Sequence, residues 1–211
     1  MYVPAAWKGK RRMKSVLLSI CPKWCALISS SKKTIEVRKT RPKIETPFKC
    51  YIYCTKDKRD SDRLWILDKQ DRAKYFGLTA VCFTCEETPE HCSEGNGKVI
   101  GEFVCDKIEY FDSAASEFAY AVAPSDFPCV MPMSEEKALK NCTAQACLSK
   151  DDMLSYFGDE DWKAYFWYIS ELKIYDEPKK LGEFRHCGVN YHFNPAVTKP
   201  PQSWCYVEEL Q

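Results

Sequence analysis

The chain has 211 residues, and its 31 lysines and arginines nearly balance 30 acidic residues, for a formal net charge of +1. Apolar residues make up 45% of the chain, which excludes extended disorder, and the length is compatible with a single hydrophobic core. The neutral total argues against a protein that coats polyanions along its whole surface, and it excludes an acidic tail or a solvating linker.

The first half of the chain alternates short predicted strands with one helix. Residues 1–12 are basic and are expected to form a disordered N-terminal extension, with Met13 as the true start. Residues 15–20 have the length of a buried strand, and Pro22 opens a short amphipathic helix that ends at the serines 29–31. Residues 34–38 alternate as a strand, and the aromatic and β-branched residues 48–54 predict another.

The second half predicts two long strands among shorter elements. Weak helical spacing covers residues 61–76, a strand follows at 78–85, and a long strand runs from 99 to about 111. Ser149 with Asp152 predicts a capping box at a helix start. Residues 164–175 form the last long strand, Pro178 opens a short helix, and residues 204–207 close the chain as a strand. The pattern favours an α+β fold over residues 13–211, a small mixed β-barrel with short flanking helices.

Thirteen cysteines are the other outlier of the composition. No apolar run is long enough for a signal peptide or a membrane span, so we expect a cytoplasmic protein with reduced thiols and no membrane partner. A weak zinc spacing exists at Cys82, Cys85, His91 and Cys92. Residues three apart on a strand face opposite sides, so free thiols are favoured there, and neither a metal nor another cofactor is expected.

The charge is unevenly distributed along the chain. Residues 1–43 contain twelve basic residues and one acid, a net charge of +11, whereas residues 44–211 carry −10. This asymmetry indicates a phosphate-bearing partner on one face. A solvated face on a dipolar protein accounts for it equally well.

The densest chemical feature is the segment 31–38, with the spacing Lys-x-x-Glu-x-Arg. Strand alternation places Glu36 and Arg38 on one face, and Lys33 can fold toward it. A carboxylate between two cations accepts hydrogen bonds from a base or amide, while Lys33 and Arg38 offer donors to phosphate or carbonyl oxygens. An exposed ladder of alternating charges on an edge strand is the plainer interpretation.

Five segments of the sequence resemble ASCH domains of bacteria and their phages. Residues 17–20, 22–24 and 32–39 resemble the opening of such domains, 97–103 their centre and 199–207 their end, so the resemblance spans Met13 to Glu208. The most specific part is the motif at Lys33, Glu36 and Arg38. The resemblance implies a PUA-like β-barrel, a fold associated with recognition of RNA and modified nucleosides.

Two positions depart from the family pattern. The family has glycine just before the lysines, where this chain has Ser31, and glycine suits a left-handed helix C-cap better than serine does. The family's small amidohydrolases, which act on N4-acylcytidines, carry a threonine nucleophile where this chain has Glu36. Lys33 matches their lysine, but a glutamate cannot replace that hydroxyl, and Thr34 points in a different direction.

Aromatic residues near these motifs are candidates for stacking on bases, which is how single-stranded RNA is commonly held. Tyr53 and Trp167 are the preferred candidates, although residues of this kind more often belong to the core. Lys23 joins the basic residues expected to bind the ligand. Gln202 and Ser203 offer hydrogen bonds to a base edge, or they form a capped turn after two prolines.

Three functions follow as alternatives. The favoured one is binding of RNA or a modified nucleotide in a basic cleft, with the predicted ligand-binding set Lys23, Lys33, Glu36, Arg38, Tyr53, Trp167, Gln202 and Ser203. The second is hydrolysis of nucleic-acid components, either an N4-acylcytidine amidohydrolase or a ribonuclease, with Lys33 and Glu36 as catalytic residues. The third is a phage-derived module that binds a protein partner of unknown identity.

Overall fold

A computed structural model describes residues 13–56, 63–83, 90–114, 117–120, 129–130, 135–158, 161–187 and 195–210. The predicted extension at residues 1–12 lies outside these ranges. The opening elements are β1 (Lys14–Ile20), α1 (Pro22–Ser29), β2 (Ile35–Arg38) and β3 (Phe48–Cys54). All four agree with the sequence pattern, because continuous apolar runs become buried strands and Pro22 occupies the first helical turn.

The remaining elements are β4 (Arg63–Leu67), α2 (Lys69–Lys74), β5 (Ala80–Phe83), β6 (Cys92–Glu94), β7 (Lys98–Asp112), β8 (Glu117–Tyr120), β9 (Cys129–Val130), α3 (Glu135–Gln145), α4 (Lys150–Phe157), β10 (Lys163–Lys180), a 3₁₀ turn (Leu181–Glu183) and β11 (Trp204–Glu208). The capping box predicted at Ser149 is confirmed. The Ser149 hydroxyl oxygen accepts a hydrogen bond from the Asp152 N–H, and the Asp152 carboxylate accepts one from the Ser149 N–H. The chain is therefore a mixed α+β structure, as expected.

One large sheet organises the molecule. Its main path runs β11-β1-β3-β7-β10-β2, with β8 and β9 extending it from β7. The β1–β3 pair is parallel, and the other pairs along the path are antiparallel. Among the described strands no ladder joins the two end strands β2 and β11, so the barrel expected from the sequence is not closed by backbone pairing.

The core follows from the pleat of the central strands. Alternate residues of β3, Cys50, Ile52 and Cys54, belong to one apolar cluster with Trp167 of β10. Tyr51 and Tyr53 project from the opposite face into a second cluster with Phe184 and others. A three-stranded sheet, β5-β4-β6, packs beside α1, and Thr79 donates a hydrogen bond to the Ser29 carbonyl there.

Two local predictions are wrong. Residues 63–67 form β4 rather than a helix, because Leu64, Ile66 and Leu67 pair between β5 and β6 in a buried sheet, which overrides their weak helical spacing. Pro178 lies within β10 instead of opening a helix. The ladder of β10 with β7 is interrupted between Ile174 and Lys179, and a proline without an N–H is tolerated at such an irregularity.

Candidate functional site

Lys33, Glu36 and Arg38 form a buried ion network, which we call the trio. The Arg38 Nη2 atom lies 3.0 Å from Glu36 Oε1, and the Lys33 Nζ atom lies 3.6 Å from Glu36 Oε2. The three residues are only 3%, 6% and 6% exposed. The sequence correctly placed Glu36 and Arg38 on one face with Lys33 folding toward it, but the alternative of an exposed charge ladder is wrong.

The turn before β2 delivers Lys33 to this position. Ser31 adopts a left-handed φ of 56°, and the N–H groups of Lys32 and Lys33 both donate to the Leu27 carbonyl at the end of α1. This is the conformation that a glycine would adopt most readily at the same place. The serine therefore preserves the turn despite its departure from the family pattern.

The connection between α3 and α4 covers the trio. The Lys33 ammonium donates to the Ala146 carbonyl at 2.6 Å, and the Cys147 thiol lies 3.2 Å from the Lys32 carbonyl. The backbone N–H of Thr34 donates to the Gln145 carbonyl. Residues more than one hundred positions away in sequence therefore exclude water from the charges.

Arg38 joins the two end strands of the large sheet. Its Nη2 donates to the Ser19 carbonyl on β1 at 2.8 Å, and its Nη1 lies 3.4 Å from both the carbonyl and the hydroxyl of Ser203, just before β11. Nearby, the Trp204 indole N–H donates to the Thr40 hydroxyl at 3.0 Å. Side chains thus link β2 to β1 and to the start of β11. Among the described strands no backbone ladder joins β2 to either of these two strands.

The trio carries one surplus positive charge. Burial lowers the pKa of Lys33 from its ordinary value, while the neighbouring Glu36 carboxylate opposes that shift. Two buried donors in this region, Arg38 Nε and the Trp167 indole Nε1, have no hydrogen-bond partner among the described residues. Trp167 pairs directly with Glu36 across the β10–β2 ladder, so the two donors belong to adjacent strands. Unpaired buried donors are uncommon because each costs about 1–3 kcal/mol.

Partly exposed aromatic rings and cations surround the trio. The Lys33 and Lys23 ammonium groups lie 5.0 Å and 4.4 Å from the Trp24 ring centroid, and the Lys39 ammonium lies 5.0 Å from the Tyr156 centroid. Tyr156 is 42% exposed. Burial of its hydroxyl raises the pKa of Tyr156, and the charges of Arg38 and Glu36 also act on it. We call Lys23, Trp24, Lys39 and Tyr156 the rim.

The two preferred stacking candidates are not at this rim. Trp167 is fully buried. Its ring centroid lies 5.7 Å from that of Phe48 and 6.4 Å from that of Trp204. Tyr53 is 4% exposed and projects from the other face of β3. Neither ring offers a face to a base, because apolar packing already covers it. The prediction that either one stacks is therefore wrong.

The other predicted ligand-binding residues divide into two groups. Lys23 projects from α1 with its Nζ 3.8 Å from Asp152 Oδ1, so it lies at the rim. Ser203 contacts Arg38 directly, whereas Gln202 is exposed on the surface turn. The Ser19 hydroxyl holds this turn by donating to the Pro201 carbonyl at 2.6 Å.

Sequence reasoning missed Tyr156. The capping box predicts the start of α4, but nothing local indicates that Tyr156 lies beside Lys39, just after β2. In the structure Leu154 and Tyr156 are exposed, whereas Met153 is the buried residue of the helix, and the sequence spacing does not distinguish these positions.

The candidate zinc residues remain apart in the part of the chain that is described. Cys82 lies on β5, Cys92 is the first residue of β6, and His91 immediately precedes it. Cys85 lies outside the described residues. Among those that are described, no group of three or more His, Cys, Asp or Glu side chains is arranged to hold a metal ion. In the same ranges no helix is long and apolar enough to cross a membrane.

Comparison with solved structures identifies the fold. The crystal structure of ASCH from Zymomonas mobilis matches with a TM-score of 0.50 at 16% sequence identity, over 92% of this chain and 88% of that one. A tyrosine-to-phenylalanine mutant of the same protein also matches with a TM-score of 0.50, at 16% identity over 93% and 92% of the two chains. No protein-family model and no curated protein matches the chain. The resemblance to ASCH domains is thereby confirmed at the level of the fold.

Proposed function

We propose that this chain binds a nucleotide, free or within single-stranded RNA, at the trio and its rim. The single observation that carries the proposal is the pair of buried donors, Arg38 Nε and Trp167 Nε1, that find no acceptor in the described part of the chain, beside a network with a surplus positive charge. A carbonyl or phosphate oxygen is the acceptor that such a site lacks. The Glu36 carboxylate supplies the complementary acceptor for the amino group of a base.

Entry to the site is limited to a small group. Because the trio is almost fully buried, a duplex cannot reach it, whereas a single unstacked base or its substituent is small enough to enter after a side-chain movement. In this proposal the fold is a PUA-like barrel whose last seam, between β2 and β11, is closed by Arg38 instead of by backbone pairing. The seam then serves as the recognition edge.

The rim contributes interactions that do not depend on which base is bound. Trp24 and Tyr156 take the stacking role that the sequence assigned to Trp167 and Tyr53, and base stacking on an aromatic side chain contributes about 1–3 kcal/mol. Lys23 and Lys39 already lie against these rings, so a stacked base brings its phosphate to a cation. Each phosphate contact adds to the salt dependence of binding.

Fluorescence anisotropy with a labelled single-stranded RNA of mixed sequence tests this proposal. Wild-type protein is expected to bind at 50 mM salt and to lose affinity steeply toward 200 mM. The double variant Lys23→Gln/Lys39→Gln should bind more weakly and flatten the salt dependence by about 0.7 per lost contact. The matched control is Lys137→Gln/Lys140→Gln on the exposed face of α3. Absence of low-salt binding, or equal behaviour of the two double variants, contradicts the proposal.

One observation favours a hydrolase as the second candidate. A buried lysine whose pKa is lowered, with a carboxylate 3.6 Å away, is a combination suited to general acid–base catalysis. The Thr34 hydroxyl does not join it, because it lies 3.4 Å from the Gln145 amide oxygen at the α3 contact. Turnover of N4-acetylcytidine or a short RNA by wild type, abolished in a Glu36→Gln variant that circular dichroism shows to be folded at the assay temperature, would establish this function, and absence of turnover by wild type would leave binding alone.

A further inference from the structure

A second cavity, separate from the trio and its rim, opens beside the start of β7. Its volume is about 470 Å³, and its lining includes Lys56, Glu94, Gly97, Lys98 and Lys180. Cavities of this size accommodate small ligands. None of these residues belongs to the trio or the rim, so the cavity is not explained by the proposed nucleotide site.

Three lysines concentrate positive charge around this cavity. Lys98 and Lys180 are directly paired across the β7–β10 ladder, and like charges in that relation destabilise a sheet. Glu94 is the single carboxylate in the lining. Among the described residues no carboxylate lies within 4.0 Å of any of the three ammonium groups. The three lysines and one glutamate of the lining therefore carry a surplus of two positive charges.

The position of the third lysine depends on a glycine. Gly97 has a φ of 76°, and a Cβ built there would lie 2.7 Å from Lys56 Cε and 3.3 Å from its Cγ. The Lys56 side chain therefore lies directly against the glycine backbone, and the Gly97 N–H donates to the Cys54 carbonyl at the end of β3. The turn 95–98 thus holds Lys56 beside the cavity that Lys98 and Lys180 line.

We propose that this cavity is a second binding site, for a small phosphate-bearing ligand held by Lys56, Lys98 and Lys180. Lysines bind phosphate as point charges, and three of them around one cavity match the several terminal oxygens of a phosphate group. Binding removes the repulsion between Lys98 and Lys180. It also balances the surplus positive charge of the described lining residues.

Isothermal titration calorimetry with inorganic pyrophosphate at constant ionic strength tests the site, with malonate as the carboxylate probe. Wild type is expected to bind pyrophosphate saturably and malonate at least tenfold more weakly. Lys98→Gln/Lys180→Gln should lose at least tenfold in pyrophosphate affinity, whereas Lys137→Gln/Lys140→Gln should retain it. Circular dichroism checks that each variant is folded. We expect Lys98→Gln/Lys180→Gln to be folded because it removes the repulsion between two directly paired lysines.

Three results would overturn this proposal. The first is that wild type shows no saturable binding of pyrophosphate. The second is that Lys98→Gln/Lys180→Gln binds pyrophosphate as tightly as Lys137→Gln/Lys140→Gln does. The third is that wild type binds malonate as tightly as pyrophosphate. The RNA affinity of Lys98→Gln/Lys180→Gln should equal that of wild type, because the trio and rim are intact. Failure of the second site is therefore distinguishable from failure of the proposed nucleotide site.

Discussion

Glu36→Gln removes the one anion between two buried cations, and it should strongly destabilise the fold. The lost carboxylate lies 3.0 Å from Arg38 and 3.6 Å from Lys33. At an effective dielectric constant of about 20, each such attraction is worth about 5 kcal/mol. Burying a neutral amide costs less than burying a carboxylate, and this difference offsets much of the lost attraction. Removing one partner of a buried ion pair typically costs about 3–5 kcal/mol. We expect a loss of that size in the free energy of unfolding.

Urea denaturation followed by circular dichroism measures this loss. The matched control is Glu209→Gln, whose carboxylate lies 2.9 Å from the Lys49 ammonium in a partly exposed pair, with side chains 24% and 28% exposed. Exposed pairs contribute about 0–1 kcal/mol, so the control should change little. If Glu36→Gln costs no more than Glu209→Gln, the trio is not the buried electrostatic network described above.

Three further predictions concern the framework of the site. Ser31→Gly should raise the free energy of unfolding by up to about 1 kcal/mol in urea melts, because serine at φ 56° is strained and glycine is not. Gly101→Ala should lower it by about 1–3 kcal/mol, because the new Cβ would lie 2.5 Å from the Lys173 carbonyl oxygen. Stability should fall above pH 9 in the presence of a non-thiol reductant, since burial raises the pKa of Cys105 to about 12 and that of Cys50 well above 9.0. The unfolded chain then releases protons that the folded chain retains, so each thiol removes about 1.4 kcal/mol per pH unit until its folded pKa is reached.

Each of these has a result that would contradict it. Destabilisation by Ser31→Gly would show that the serine side chain, and not the backbone angle, determines the turn. An unchanged midpoint for Gly101→Ala would mean that β7 and β10 can separate at little cost. For the thiols, the double variant Cys50→Ala/Cys105→Ala should lose stability less steeply above pH 9 than wild type, and equal slopes would refute the assignment.

Much of the site could be predicted because its three charged residues are close in sequence. The pleat of a strand places Glu36 and Arg38 on one face regardless of what surrounds them. Lys33 is only three residues before Glu36 in the sequence, so its long side chain can reach the same face. The strands at 48–54 and 204–207 were also recognisable from β-branched and aromatic residues. These features depend on local geometry alone.

The environment of the same residues could not be predicted, because distant segments create it. The cover over Lys33 comes from Ala146, and the rim position of Tyr156 depends on how α4 packs. The sequence predicts a stacking role for Trp167 because periodicity indicates the face of a strand but not how deeply that face is buried. It faces the same side as Glu36, yet apolar neighbours from β3 and β11 bury it completely.

If a nucleotide supplies acceptors to Arg38 Nε and Trp167 Nε1, its binding must change the NMR signals of these two donor groups. Titration of ¹⁵N-labelled protein with single-stranded RNA of mixed sequence follows the Arg38 Nε–H and Trp167 indole N–H signals, assigned with Arg38→Lys and Trp167→Phe. We expect both signals to move saturably, with the affinity that anisotropy gives. Binding that leaves both signals in place, or the absence of binding, would contradict a nucleotide site at the trio.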